Sequence, residues 1–227
     1  MTRPTILLTG FGPFGDETRN PSGELALDIA ESHGLPADVR AAVLPVVFRE
    51  TEARIRDLLL EAPPDCVLSL GLAAGSPTLR LERVGVNFRR GADAAGNATD
   101  GEPIVPDAPA AYFASLPVPE LIAALHRCGI PAQDSFSAGT YCCNEALFAA
   151  LHLCATQRLR TRAGFVHLPC FPEQVRGRNI PSMARDVQRE GLVVILRTLL
   201  DAFEARAARR TPSDEGAGVP KPELATA

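Results

Sequence analysis

An unbroken apolar run, Ile6-Leu7-Leu8, opens the chain inside Thr5–Thr9 and leaves no polar position to turn toward water. A strand of that kind is covered on both faces, which a parallel sheet achieves with helices on either side. Further strands are expected at Val39–Val46, Cys66–Leu70, Leu79–Val86, Gln133–Ser137 and Gly164–Leu168. Amphipathic stretches at Gly23–Glu31, Glu50–Glu61, Pro119–Arg127, Glu145–Thr156 and Ser182–Ala207 read as helices. Alternation of this kind builds βαβ units, whose right-handed crossovers place helices on both sides of the sheet. The expected fold is therefore α/β, an open three-layer α/β/α sandwich with a mainly parallel central sheet. A single domain over residues 1–210 accommodates it. Residues 211–227 have no apolar period and are expected to form a disordered tail. Arg89–Ala111, rich in Gly, Ala, Asp and Pro, reads as a long loop of the kind that serves as a lid or rim.

Composition narrows the setting. A chain of 227 residues, 46% hydrophobic, needs no disulfide or metal to hold its core. The net charge of -4 is spread through mixed acidic and basic residues, which argues against a nucleic-acid partner. No segment approaches the roughly 18 apolar residues of a membrane span, and the N-terminal run is too short for a signal peptide. The protein is expected to stay in the cytoplasm, with its six cysteines as free thiols. There is no CxxC pair, and His152 with Cys154 lacks the further ligands a structural zinc requires.

Gly10-Phe11-Gly12-Pro13-Phe14-Gly15 follows the first strand and formally fits the dinucleotide fingerprint. The physics fits badly. That loop works by aiming N–H groups at a pyrophosphate from a helix start, whereas Pro13 lacks a donor and two phenylalanines crowd the approach. The next helix also begins late, with Asn20 or Ser22 available as its cap. A rigid turn presenting Phe11 and Phe14 at the carboxyl end of a strand is the better reading, because ligands bind at that edge of an α/β sheet.

Ser137-Ala138-Gly139-Thr140-Tyr141-Cys142-Cys143-Asn144 leaves a strand through glycine and runs into a helix. A cysteine at that helix N-terminus meets unpaired N–H groups and the positive end of the dipole, which favour a thiolate and offer an oxyanion hole. Cys142 and Cys143 both qualify, and free cysteines are as often simply buried. Of the four histidines, only His167 lies near the carboxyl end of a strand, where a general base is useful. His126 and His152 fall on helices, and His33 in a loop. Glu82 and Arg83 interrupt the strand pattern of LRLERVGVN; either they form a solvent-facing salt bridge, or Glu82 is the group that orients the imidazole.

Taken together, LLTGFGPFG, the NPS at Asn20–Ser22, Pro45-Val46-Val47-Phe48, LSLGLAAG, LERVGVN, AAYFASLP, SAGTYCCN and GFVHLPCFPEQ resemble the type I pyroglutamyl peptidases, also called pyrrolidone-carboxylate peptidases. The similarity runs from about Thr5 to Met183. It implies an open α/β/α sandwich, no cofactor, a homo-oligomer (often a tetramer), and removal of an N-terminal pyroglutamyl residue from peptides. Residue by residue, it assigns the nucleophile to Cys143, directly before asparagine, the histidine to His167 and the glutamate to Glu82. It also implies that Phe11 and Phe14 cover the pyroglutamyl ring, that Tyr141 closes the pocket, and that Leu72 and Cys142 complete the substrate-binding set.

Two departures stand out. Ala74-Gly75-Ser76 replaces the glycine-glycine-arginine of many relatives, and the segment after Asn87 is shorter, without their Ala-Arg-Ile-Pro-Asp run. An arginine there assists the oxyanion in the resemblance; here Arg89 or Arg90 takes its place, or nothing does. Three rival readings share the sheet: a phosphate-dependent transferase, a thiol amidase for another small amide, and a binding protein that has lost catalysis. The first needs a basic phosphate cluster that the sequence lacks, the second a different pocket, and the third the loss of one of the three residues.

Overall fold

The computed structural model describes residues 3–209 apart from Asp16 and His33. The expected tail and His33 lie outside the described residues. Strands β1 (Thr5–Phe11), β2 (Asp38–Leu44), β3 (Cys66–Leu72), β4 (Leu79–Glu82), β9 (Ala132–Ser135) and β10 (Arg162–Leu168) form one sheet in the order β2-β1-β3-β10-β4-β9. The first four in that order are parallel. β4 runs against β10 and carries β9 parallel to itself. Helices α1 (Pro21–Glu31), α3 (Val118–Arg127) and α5 (Arg185–Arg209) cover one face, while α2 (Glu50–Glu61) and α4 (Cys142–Thr156) cover the other.

Alternation along β1 explains the two cores. Ile6 and Leu8 join Leu25, Leu121 and Leu196 on the first side, and Leu7 joins Ile55, Leu59 and Leu147 on the second. Each such side chain contributes about 1.5–3 kcal/mol when fully buried, so both faces of the strand favour this arrangement. No helix among the described residues is long and apolar enough to cross a membrane.

Several boundaries differ from the sequence reading. The run Leu79–Val86 is two strands: it breaks at Arg83, after which β5 (Val84–Val86) leaves the main sheet to pair with β8 (Ala111–Phe113). The stretch expected to be a loop contains a hairpin, β6 (Arg89–Ala92) and β7 (Ala98–Glu102). Asp93 anchors its turn, accepting from the N–H groups of Ala95 and Asn97 and from the Asn97 side chain. Helix α4 starts at Cys142 rather than Glu145, which puts both neighbouring cysteines in its first turn.

The first loop is fastened to α1 by its own sequence. Asn20 caps the helix by accepting from the Ser22 N–H at 3.1 Å, and donates to Gly12 O at 2.9 Å. Ser22 Oγ accepts from the Phe11 N–H at 3.0 Å. A Cβ on Gly10 would lie 2.2 Å from Ser22 O, so the glycine serves close helix–strand packing. The fingerprint-like spacing thus has a packing explanation.

Candidate active site

At the carboxyl ends of β1, β3 and β10, a cavity of about 180 Å³ is lined by Phe11, Phe14, Asn20, Val46, Leu72, Ala138, Tyr141, Cys142, Cys143 and His167. Every residue that the sequence singled out around the nucleophile and the ring pocket reaches this cavity, and Glu82 stands directly behind it. Phe48 meets Tyr141 edge-on, with centroids 5.3 Å apart, and holds that ring against the opening. No Asp, Glu, Lys or Arg is among the lining residues.

His167 and Glu82 come together because β10 and β4 are antiparallel neighbours. Glu82 faces Phe165, two residues before His167, and this diagonal spacing is within side-chain reach. His167 Nδ1 lies 2.8 Å from Glu82 Oε1, and both residues are buried. With Glu82 as carboxylate, Nδ1 carries the hydrogen and Nε2 is left as an acceptor. The second carboxylate oxygen, Oε2, has no partner among the described residues. Arg80 Nη2 lies 3.4 Å from the oxygen that His167 uses.

Cys143 is the second residue of α4, and Tyr141 precedes the helix in extended conformation. The N–H groups of Cys142, Cys143 and Asn144 therefore have no carbonyl in the preceding turn, and the first such bond is from Glu145 N–H to Tyr141 O at 3.0 Å. The sulfur rests over Gly71, where a Cβ would lie 2.9 Å from Sγ. From the sequence, the helix terminus is expected to lower the thiol's pKa. Burial wins instead: it pushes Cys143 up to about 12, with Cys142 and the Glu82 charge adding to the effect. Cys142 is more deeply enclosed and is also pushed up to about 12 by burial.

Three positioning features were missed in the sequence. Asn144 accepts from Val86 N–H and donates to Val86 O and Phe88 O, each at 2.9 Å, locking the first turn of α4 onto β5. Glu145, fully buried, accepts from the Arg49 N–H at 2.6 Å and from Arg89 at 3.0 Å. Arg49 sits at φ 65°, a strained conformation for a residue with a side chain, and this bond helps to hold it. The signal was a pair of polar residues, Asn144-Glu145, opening an otherwise apolar helix. Arg89, weighed as an oxyanion donor, is buried between Glu145 and Glu102. Arg90 gives its N–H to Thr140 O and its side chain is exposed. Neither arginine lines the cavity.

The family model "Pyroglutamyl peptidase" matches residues 4–202. The pyrrolidone-carboxylate peptidase of Streptomyces coelicolor is 42% identical over 217 residues, covering 95% of each chain. The Pyrococcus furiosus relative of that name is 38% identical, covering 86% of this chain and 98% of its own. Among solved structures, a variant of the Pyrococcus furiosus pyrrolidone carboxyl peptidase superposes with a TM-score of 0.84 at 37% identity, covering 88% of this chain and 99% of that one. Pyroglutamyl peptidase I of Bacillus amyloliquefaciens gives 0.83 at 33% identity, with 88% and 96% covered. A match this long in sequence, carried through into the same fold, places this chain in the pyroglutamyl peptidase family.

Proposed function

We propose that the chain is a cysteine exopeptidase that removes N-terminal pyroglutamyl residues, with Cys143 as nucleophile, His167 as general acid–base and Glu82 orienting the imidazole. The observation that carries this reading is the buried 2.8 Å contact between His167 Nδ1 and Glu82, beside an uncharged cavity that also holds Cys143 at a helix N-terminus.

The substrate's five-membered lactam enters between Phe11, Phe14, Leu72 and Tyr141, and its exocyclic carbonyl meets Sγ. His167 Nε2 takes the thiol proton as the S–C bond forms. The N–H groups at the start of α4 receive the oxyanion. Collapse of the tetrahedral intermediate breaks the C–N bond, and His167 returns its proton to the leaving amine. A thioester remains. Water then attacks it, losing a proton to the same nitrogen, and pyroglutamate departs as the thiol is restored. Throughout, Glu82 stabilises the imidazolium that forms after each proton transfer.

Selectivity follows from the lining. Pyroglutamate is neutral at its ring nitrogen, whereas an N-terminal proline carries an ammonium that would be buried without a counter-charge. Under reducing conditions, pyroglutamyl-coumarin amide is expected to be hydrolysed and prolyl-coumarin amide to be at least about 100-fold slower, the cost of an unpaired buried charge. Equal turnover of the two amides would overturn the assignment.

Because burial holds Cys143 as a thiol, attack and deprotonation proceed together instead of from a stored thiolate–imidazolium pair. In His167→Ala, where no base is at hand, inactivation by iodoacetamide should therefore accelerate about tenfold per pH unit between pH 6 and 9, following the thiolate fraction. A rate already at its plateau near pH 6 in that variant would show that the helix N-terminus alone holds a thiolate.

A further inference from the structure

The register of the sheet sets the direction of the substrate. Phe11 belongs to β1 and Leu72 to β3, so the ring pocket lies over those strands, with Cys143 Sγ above Gly71 of β3. His167 stands on β10, the next strand across, directly opposite Gly71. The group that protonates the leaving amine therefore lies on the side of the nucleophile away from the ring, and the departing peptide heads from β3 past β10 toward β4. The first residue it meets is Arg80, the cross-strand partner of His167 in the antiparallel pair, which points to the same face of the sheet.

Arg80 is fixed in place and incompletely used. Nη2 donates to Ser135 Oγ at 2.7 Å and to Ser137 O at 3.1 Å, and approaches Glu82. Nε and Nη1 have no partner among the described residues, and 30% of the side chain is exposed. Ser137 adjoins Ala138, which lines the ring pocket, so the arginine is tied to the rim of the same opening. Of the neighbouring charges, Glu82 shares the face of Arg80 and is engaged by His167, whereas Asp134 lies on the other. Asp134 is in register with Leu81, one position out of phase with Arg80, and approaches Arg83 at 3.8 Å.

We infer that Arg80 is a specificity residue for the position after the scissile bond, and that the favoured substrates are peptides whose residue following pyroglutamate carries a carboxylate. The assignment rests on the proposed roles of Cys143 and His167, since they define which side the leaving peptide occupies.

Length-matched pyroglutamyl-glutamyl and pyroglutamyl-lysyl peptide amides would be compared with pyroglutamyl-coumarin amide, which has no charge at that position. The wild type should favour the glutamyl over the lysyl peptide about tenfold in kcat/KM, combining one exposed attraction with one exposed repulsion. In Arg80→Gln the ratio should fall to near one, and in Arg80→Lys it should stay above about threefold. Because Arg80 touches Glu82, absolute rates will move in these variants. The ratio within each enzyme cancels that common effect. Arg80→Thr serves the same comparison where Arg80→Gln does not fold. A wild-type ratio at or below one, or a ratio unchanged in the Gln and Thr variants, would overturn the subsite while the coumarin amide is still cleaved. Failure of the wild type on the coumarin amide itself would remove the underlying reading instead.

Discussion

Cys143→Ala is expected to abolish turnover of pyroglutamyl-coumarin amide, a loss of roughly 10,000- to 1,000,000-fold, whereas Cys142→Ala retains activity within about tenfold. Both residues line the cavity, and burial pushes both thiols up, so neither proximity to the pocket nor ionisation separates them. Their places in the fold do. Cys143 Sγ lies over Gly71 of β3, whose neighbour across the register is His167 of β10. Cys142 faces the apolar core under α4, with Leu147 and Ala146, and is only 1% exposed. Removing that sulfur deletes a small apolar group at a cost of about 1 kcal/mol, and the nucleophile keeps its position. The measurement is initial rate on purified, reduced protein, with thermal unfolding recorded to show that both variants are folded. Activity that survives Cys143→Ala and disappears with Cys142→Ala would reverse the assignment.

What the sequence made legible was whatever local pattern dictates. The apolar runs at Thr5–Thr9, Cys66–Leu70 and Gly164–Leu168 located three adjacent strands, because a strand buried on both faces can be read from its own residues. The strand–glycine–helix passage around Gly139 located the cysteines for the same reason. What depended on partners was not legible. Leu-Arg-Leu-Glu-Arg-Val-Gly-Val reads as one strand interrupted by charges, yet the chain leaves the main sheet at Arg83 because β5 finds β8, whose residues Ala111–Phe113 lie far along the sequence. The hairpin of β6 and β7 is polar and glycine-rich, with poor strand propensity. Its order comes from Asp93 and from Arg89 between two glutamates. The thiol failed differently: its place in the first turn of the helix was legible, but desolvation, which raises its pKa, depends on neighbours that one segment does not reveal.

Glu82→Gln separates catalysis from stability. Glutamine keeps the length of the side chain and can still accept from His167 Nδ1, so the imidazole retains its orientation in part. It cannot offset the positive charge that develops on the ring during proton transfer. The expected result is a fall in kcat of about 100- to 10,000-fold with KM within about threefold, since nothing in the ring pocket changes. Stability should move the other way. The carboxylate is almost wholly buried, and Oε2 has no hydrogen-bond partner among the described residues. Burying a charge is costly even when it is paired, so a neutral amide should leave the fold as stable or about 1 kcal/mol more so. Steady-state kinetics and denaturant unfolding on the same preparation test both halves. A kcat within about threefold of wild type would remove Glu82 from the proton-transfer machinery, because a group that stabilises imidazolium in the transition state cannot be neutralised at so small a cost. A large loss of stability would show instead that the carboxylate holds β4 against β10. Arg80, which lies 3.4 Å from Oε1 and donates to Ser135 at the same edge, would then be its structural partner.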